Sequence, residues 1–303
     1  MVNYDKKLLT NGKIGRTIWG DSMGKVAVIG MVGNSAFLSV EKFNADGETA
    51  VAKTIHFEPG GKGFNQAVAA ARFGAETSFL GAVGTECYNE IADFLKGDGV
   101  AAVLPRKPEP TAYAAILTDA KGANRVTVYQ GARLAVEDVE TYKAYIAEAD
   151  VLLLNNEVPL AVNIRALEIA KANNTYVVYN PAPSIPLDPY LVENVDLFTP
   201  NEHENQGLEN AKDLIVTLGS KGCYVKALES TYPPLKIDNV VDTTGAGDTF
   251  NGVLAACIAN HRPVERAVIA ATCASGVSVT RKYAATAIPT MEEVAAYLKE
   301  KGQ

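Results

Sequence analysis

The sequence predicts an α/β fold, a mostly parallel sheet covered by helices on both faces, with a small β element standing off it as a lid. From Lys25 onward, short apolar runs that end in Gly, Asn or Pro alternate with stretches of helical period, the pattern of βαβ units. The apolar runs are nearly continuous, as in strands buried on both faces. Two stretches, within 34–57 and at 111–118, have strand character with no helix around them and break the alternation; they supply the lid.

Residues 1–24 are polar, glycine-dotted and hold the only tryptophan, Trp19. They read as an extension ahead of a domain spanning 25–303. The first core strand is Val26–Ile29. In the lid region Ala50–Phe57 alternates. A helix follows at Phe64–Phe73, stopped by Gly74, then a strand at Thr77–Leu80 and a helix at Asn89–Lys96. The other expected strands are Val151–Leu154, Tyr176–Tyr179, Leu197–Thr199 and Leu214–Thr217. The other helices are Ala161–Asn173, Thr249–Asn260 and Val264–Ser278. A last helix starts at Thr290, where Thr290 and Glu293 have capping-box spacing. About a dozen residues separate Glu202 from Leu214, near the minimum for a parallel crossover, so a shortened or irregular connection is expected there. No long linker divides the chain, which reads as one domain with a lid.

Composition narrows the function. The chain has 303 residues, 28 Lys and Arg against 35 Asp and Glu, and a net charge of −7. That balance argues against a nucleic-acid partner or an anionic membrane surface, which need clustered cations. The hydrophobic share of 48% fills a core. Cys87, Cys223, Cys257 and Cys273 form no CxxC pair, which argues against a disulfide scaffold or zinc ribbon and fits a reducing cytoplasm. No apolar run approaches the roughly 18 residues of a membrane span. The first 24 residues hold Lys6, Lys7, Lys13 and Arg16 with no apolar stretch behind them, unlike a signal peptide.

Ligands of an open parallel sheet bind beyond the carboxyl ends of its strands. Polar residues gather at four such ends in a row: Asn155, Asn156 and Glu157; Asn180; Asn201, Glu202 and Glu204; Thr217, Gly219 and Ser220. Singly these are turn residues; together they suggest a polar cleft. Two glycine-rich segments open helices. Glu58-Pro59-Gly60-Gly61-Lys62-Gly63-Phe64-Asn65 offers free amides at a helix start. It is not a Walker A loop, since His56 holds the first glycine position and Gly63 follows the lysine. Asp242-Thr243-Thr244-Gly245-Ala246-Gly247-Asp248-Thr249-Phe250 puts three small residues and a carboxylate at another helix start. Such a nest favours developing negative charge, and a carboxylate beside it can deprotonate a hydroxyl.

These two segments resemble the two signatures of the ribokinase-type (PfkB) carbohydrate kinases. The likeness runs from about Lys25 to about Pro289 and includes Asn180-Pro181-Ala182-Pro183, Thr199-Pro200-Asn201-Glu202, Thr217-Leu218-Gly219-Ser220 and Val279-Thr280-Arg281-Lys282. The resemblance implies a three-layer α/β/α fold and ATP-dependent phosphorylation of a hydroxyl on a small sugar or sugar-like molecule. It implies Asp248 as base and Gly245, Ala246 and Gly247 as the anion hole. Asn201 and Glu204 would organise Mg²⁺, partly through water. Thr217, Gly219 and Ser220, with Asn201, would line the nucleotide site. Gly61, Lys62, Asn65 and Glu157 would face the sugar. Asp242, Thr244, Val279, Lys282 and Ala284 match a monovalent-cation site that would take K⁺. Lid-to-lid homodimers are also implied.

Three departures from the family pattern stand out. Gly33 and Ser35 occupy the positions where an Asn and an Asp would grip sugar hydroxyls. Ribose, the default sugar, is therefore expected to be disfavoured, with room left beside Gly33. The connection after Asn201 is short, and Tyr283 replaces a Gly, crowding the cation loop. Two alternatives stay open. One is a nucleoside kinase with Phe64 or Phe37 stacked on a base. The other is a non-catalytic sugar-binding protein, which the lost Asn and Asp favour and Asp248 opposes. A nicotinamide oxidoreductase would need a GxGxxG turn that Gly30-Met31-Val32-Gly33 lacks.

Overall fold

The computed structural model describes residues 23–301; the extension before them, Trp19 included, lies outside the described residues. In chain order the elements are β1 (Lys25–Ile29), β2 (Gly33–Ser39), β3 (Thr54–Gly60), α1 (Lys62–Arg72), β4 (Glu76–Leu80), α2 (Tyr88–Gly97), β5 (Ala101–Val103), β6 (Ala112–Thr118), β7 (Asn124–Tyr129), α3 (Val136–Glu148), β8 (Val151–Asn155), α4 (Leu160–Ala172), β9 (Tyr176–Asn180), α5 (Pro189–Asn194), β10 (Leu197–Phe198), β11 (Ile215–Thr217), β12 (Cys223–Val225), β13 (Ser230–Tyr232), α6 (Ala246–Ala259), α7 (Val264–Ser278) and α8 (Met291–Glu300).

The central sheet runs β10-β9-β8-β1-β4-β5, with every pairing parallel. Alternation along β1 sorts the core into two layers. Val26 and Val28 pack toward α1, α6 and α7, while Ala27 and Ile29 pack toward α3 and α4. All four side chains are fully buried, which explains the unbroken apolar run. Parallel bridges Phe198–Leu214 and Asn201–Thr217 extend the sheet into the antiparallel trio β11-β12-β13.

No helix lies between β10 and β11. Turns carry that crossover, and the buried side chains of Leu208 and Ala211 pack against the layer that holds α4 and α5. The short connection thus fills with two side chains the space that a helix would cover.

The lid is a second sheet of four strands, ordered β3-β2-β6-β7. Sequence reading missed β7, which is exposed along its whole length and so carries no burial pattern. It also missed α3, whose N-cap position is Ala135 and gives no start signal. The signature helices start earlier than expected, α1 at Lys62 and α6 at Ala246. Both glycine segments therefore run into first turns, where amides lack intrahelical partners; Lys62 N bonds to Glu157 and Ala246 N to Thr243 O. The capping box at α8 is present: Thr290 N donates to Glu293 Oε2 at 2.8 Å, and Glu293 N donates to Thr290 Oγ1 at 3.3 Å.

Candidate active site

Helices α1 and α6 cross in contact and bring the two glycine segments together at the carboxyl edge of the sheet. Asp248 lies in the first turn of α6 and is 8% exposed. Asn65 Nδ2 donates to its Oδ2 at 2.9 Å, and Gln66 Nε2 lies 3.5 Å from its Oδ1. Gln66 Nε2 also donates to Asn180 Oδ1 at 3.1 Å, and Asn180 Nδ2 to Thr199 O at 2.9 Å. Thr199 Oγ1 donates to Asn251 Oδ1. This buried network ties α1, β9, β10 and α6 into one frame. Asn65 Oδ1 and Gln66 Oε1 are buried without a partner in the protein.

The electrostatics are coupled. Burial pushes the Asp248 carboxyl above the usual carboxylate range, and the Lys62 ammonium and the amides of Asn65 and Gln66 pull it back. Lys62 is held above its ordinary value chiefly by Asp248, with Glu157 and Glu204 adding to the effect. Desolvation, followed by the nearby Asp248 charge, pushes Glu157 up to about 7, opposed by the Lys62 charge and backbone N–H. That N–H donates to Glu157 Oε2 at 2.7 Å.

A cleft of about 240 Å³ is lined by Lys62, Asn201, Glu204, Thr217, Gly245, Gly247 and Asp248, together with Thr243 and Asn251. Gly245 sits at the N-cap of α6 with φ +74°, a left-handed turn that suits glycine. Gly219 and Ser220 lie outside this lining, in an exposed single turn of 3₁₀ helix beyond Thr217. Ala246 is between the lining glycines without being part of the wall. Gln66, Thr243 and Asn251 were not singled out from the sequence; Thr243 sits inside the second motif, Gln66 and Asn251 directly follow the two motifs, and that placement was the available signal.

The metal pair named from sequence is bonded to itself. Asn201 Oδ1 accepts from His203 N at 2.8 Å and Glu204 N at 3.0 Å, so both its lone pairs close a turn. Asn201 N in return donates to Glu204 Oε2 at 3.0 Å. Both residues line the cleft that Asp248 also lines. Among the described residues no group of three or more metal-binding side chains exists. One or two carboxylates suit Mg²⁺, which keeps several waters and takes phosphate oxygens.

Internal hydrogen bonds take part of the monovalent-cation set. Val279 O accepts from Val241 N at 2.8 Å and Asp242 N at 3.3 Å. Asp242 Oδ1 accepts from Thr244 N at 2.9 Å and Thr244 Oγ1 at 2.7 Å. Both lone pairs of these two oxygens are used. Among the described residues Asp242 Oδ2 accepts only from Tyr283 N at 3.1 Å, and Ala284 O only from Ala287 N at 3.1 Å, so each keeps a lone pair.

The sugar side also needs a correction. A Cβ on Gly33 would lie 2.4 Å from Ala112 O, because β2 runs beside β6 at that register. The missing side chain opens no room. Asn34, the neighbouring amide, points away and donates to Glu90 Oε2 at 3.1 Å. Ser35 pairs with Glu58 across β2 and β3. A small cavity at the ends of β1, β4 and β8 brings Glu157 together with Gln130 and Arg133, two residues that follow the unpredicted β7. Phe64 is fully buried and Phe37 packs on Tyr283, so neither is free to stack on a nucleoside base.

Residues 23–291 match the pfkB family of carbohydrate kinases. The chain belongs to that family. It is 35% identical over 298 residues to the ribokinase of Lactococcus lactis subsp. lactis, covering 92% of this chain and 98% of that protein. Its fold superposes on Thermotoga maritima ribokinase with a TM-score of 0.81 at 32% identity, covering 92% of this chain and 100% of the other. Arabidopsis thaliana ribokinase, solved with ribose and ATP, gives 0.78 at 26% identity, covering 92% and 99%. As a pfkB-family enzyme the chain is an ATP-dependent carbohydrate kinase. None of the described helices is long and apolar enough to cross a membrane.

Proposed function

We propose that Asp248 accepts the proton of a sugar hydroxyl as that oxygen attacks the γ-phosphorus of ATP. The bond from the γ-phosphorus to the β–γ bridging oxygen breaks, ADP leaves, and the proton on Asp248 passes to solvent after product release. The observation that carries this reading is a buried carboxylate in the first turn of α6, sharing one cleft with Lys62 and the Gly245–Gly247 turn. Backbone N–H groups of Gly245, Ala246 and Gly247 would hold the oxygens of the transferring group, where preorganised donors act most strongly. Mg²⁺, held through Glu204 and water, would offset the charge of the phosphates. Thr217, with Gly219 and Ser220 at the rim, would border the nucleotide. Gly61, Lys62, Asn65 and Glu157 would orient the sugar. A panel of pentoses, hexoses, polyols and nucleosides, read by ADP release, tests the reading; activity confined to nucleosides would overturn it.

The acceptor is a small sugar that meets Gly33 and Ser35 where the family resemblance implies an amide and a carboxylate. Ser35 cannot take two hydroxyls as a carboxylate does, and losing one charged hydrogen bond costs roughly 1.5–3 kcal/mol, about 10–150-fold. Ribose is expected to be a poor substrate of the unmodified enzyme. Ser35→Asp is expected to raise kcat/KM for ribose by about tenfold or more. Gly33→Asn is left out of this test because Ala112 fills its place. Efficient use of ribose without substitution would contradict the assignment.

Ionised Glu157 accepts a hydroxyl in a stronger, charge-assisted bond than the protonated acid does, and its value near 7 sets the sign of the pH effect. Below about 7 it is protonated, so kcat/KM for the sugar should fall, by up to about tenfold per pH unit. Glu157→Gln is expected to lower kcat/KM and flatten that acid limb. A limb that persists unchanged in the variant would assign it elsewhere.

The lid also supports a homodimer. Ile55, Phe57, Tyr113 and Tyr129 are exposed, and strand register puts them on one face. An apolar sheet face of this kind favours cover by a partner. Light scattering at micromolar concentration is expected to give twice the chain mass; a monomer mass would count against it.

A further inference from the structure

Glu58 ends the lid side of β3, two residues ahead of Gly60, and is only 2% exposed. A carboxylate so buried needs compensating charge or hydrogen bonds. Its Oε1 accepts from Ala284 N at 2.7 Å and Ala285 N at 3.1 Å. Its Oε2 accepts from Thr286 N at 3.2 Å and Thr286 Oγ1 at 2.7 Å. Three successive backbone N–H groups thus converge on one anion, as in a backbone nest, except that here the anion belongs to the lid. His56 Nε2 stands 3.4 Å from the same Oε2.

Aromatic contacts clamp the same junction. The His56 ring stacks on Tyr283 at 3.8 Å and 14°, and Phe37 meets Tyr283 edge-on at 5.1 Å. Tyr283 has φ +75°, a conformation that bulky residues rarely adopt and that persists only where the surroundings over-determine it. On its far side the loop reaches the phosphoryl site. A Cβ on Gly245 would lie 3.3 Å from both Cα and Cβ of Ala284, so Ala284 backs the turn that starts α6. A continuous run of contacts leads from β3 through Glu58 and Ala284 to Gly245.

We infer that Glu58 is a positioning residue for phosphoryl transfer, docking the lid strand onto the 283–286 loop and thereby fixing the backbone of Gly245–Gly247. This rests on the reading of Gly245–Gly247 as the anion hole. Peptide N–H groups and a carboxylate order this loop.

The test compares Glu58→Gln with the unmodified enzyme in steady-state kinetics, using its best sugar from the panel. Gln keeps the shape but turns an amide NH₂ toward backbone donors. The expected result is a folded variant by circular dichroism whose kcat falls about 10–100-fold, as misplacement of preorganised donors does, with KM for ATP and sugar within about threefold of the original. Thr286→Val, which removes one of the four bonds and leaves the carboxylate, should lose less than Glu58→Gln and remain folded. If Glu58→Gln fails to fold, a kcat loss in Thr286→Val at unchanged KM carries the same conclusion. Unchanged kcat in both variants overturns the inference. An unmodified enzyme that phosphorylates no sugar overturns the proposed function instead.

Discussion

Asp248→Asn is expected to lower kcat by about 10²–10⁴-fold, the usual range for a lost general base. The amide is nearly isosteric and can still meet Asn65 and Gln66, so the buried network should hold and the far-ultraviolet spectrum should not change. Binding of ATP and sugar should survive, because the base touches the reacting proton rather than the bulk of either ligand. Removing a charge raised by burial also relieves desolvation, so the melting temperature should stay level or rise. Turnover near the original rate would remove Asp248 from the reaction.

The second large effect concerns the helix crossing beneath the site. A Cβ on Gly252 would lie 2.2 Å from Gln66 O and 2.6 Å from Ala69 Cβ, so α6 meets α1 backbone to backbone. Gly252→Val must push the helices apart. Overpacking costs about 1–3 kcal/mol, and more where backbone blocks relaxation. A drop in Tm of roughly 6–12 °C follows for a loss near 3 kcal/mol. The same displacement would draw Asn65 and Gln66 away from Asp248 and depress activity in any protein that folds. An unchanged thermal melt would show that the crossing has slack.

The polar residues at the strand ends and the two glycine segments were legible because local chemistry marks them. Apolar runs gave β1, β8 and β9, Thr290 and Glu293 gave the start of α8, and the deletion after Asn201 was visible as a length. Tertiary contacts left less trace. Glu58 meets Ala284 across 226 residues, and a carboxylate before a glycine turn looks like any exposed acid until the loop closes on it. Gly33 read as open space because sequence shows the missing side chain but not Ala112 standing against it. The cation loop is similar: its residue types match, but spacing cannot show that Asp242 Oδ1 and Val279 O are taken by neighbouring N–H and O–H groups. Strand β7 and helix α3 lacked the burial pattern or cap that announces an element.

The central claim, transfer of the ATP γ-phosphoryl group to a sugar hydroxyl at Asp248, is tested most directly by ³¹P NMR of the enzyme with ATP, Mg²⁺ and each sugar of the panel. The account predicts, for at least one sugar, a new phosphomonoester signal growing in step with ADP, and no such signal with Asp248→Asn. ADP accumulating with inorganic phosphate and no sugar phosphate, or the same sugar phosphate forming at full rate in Asp248→Asn, would contradict it.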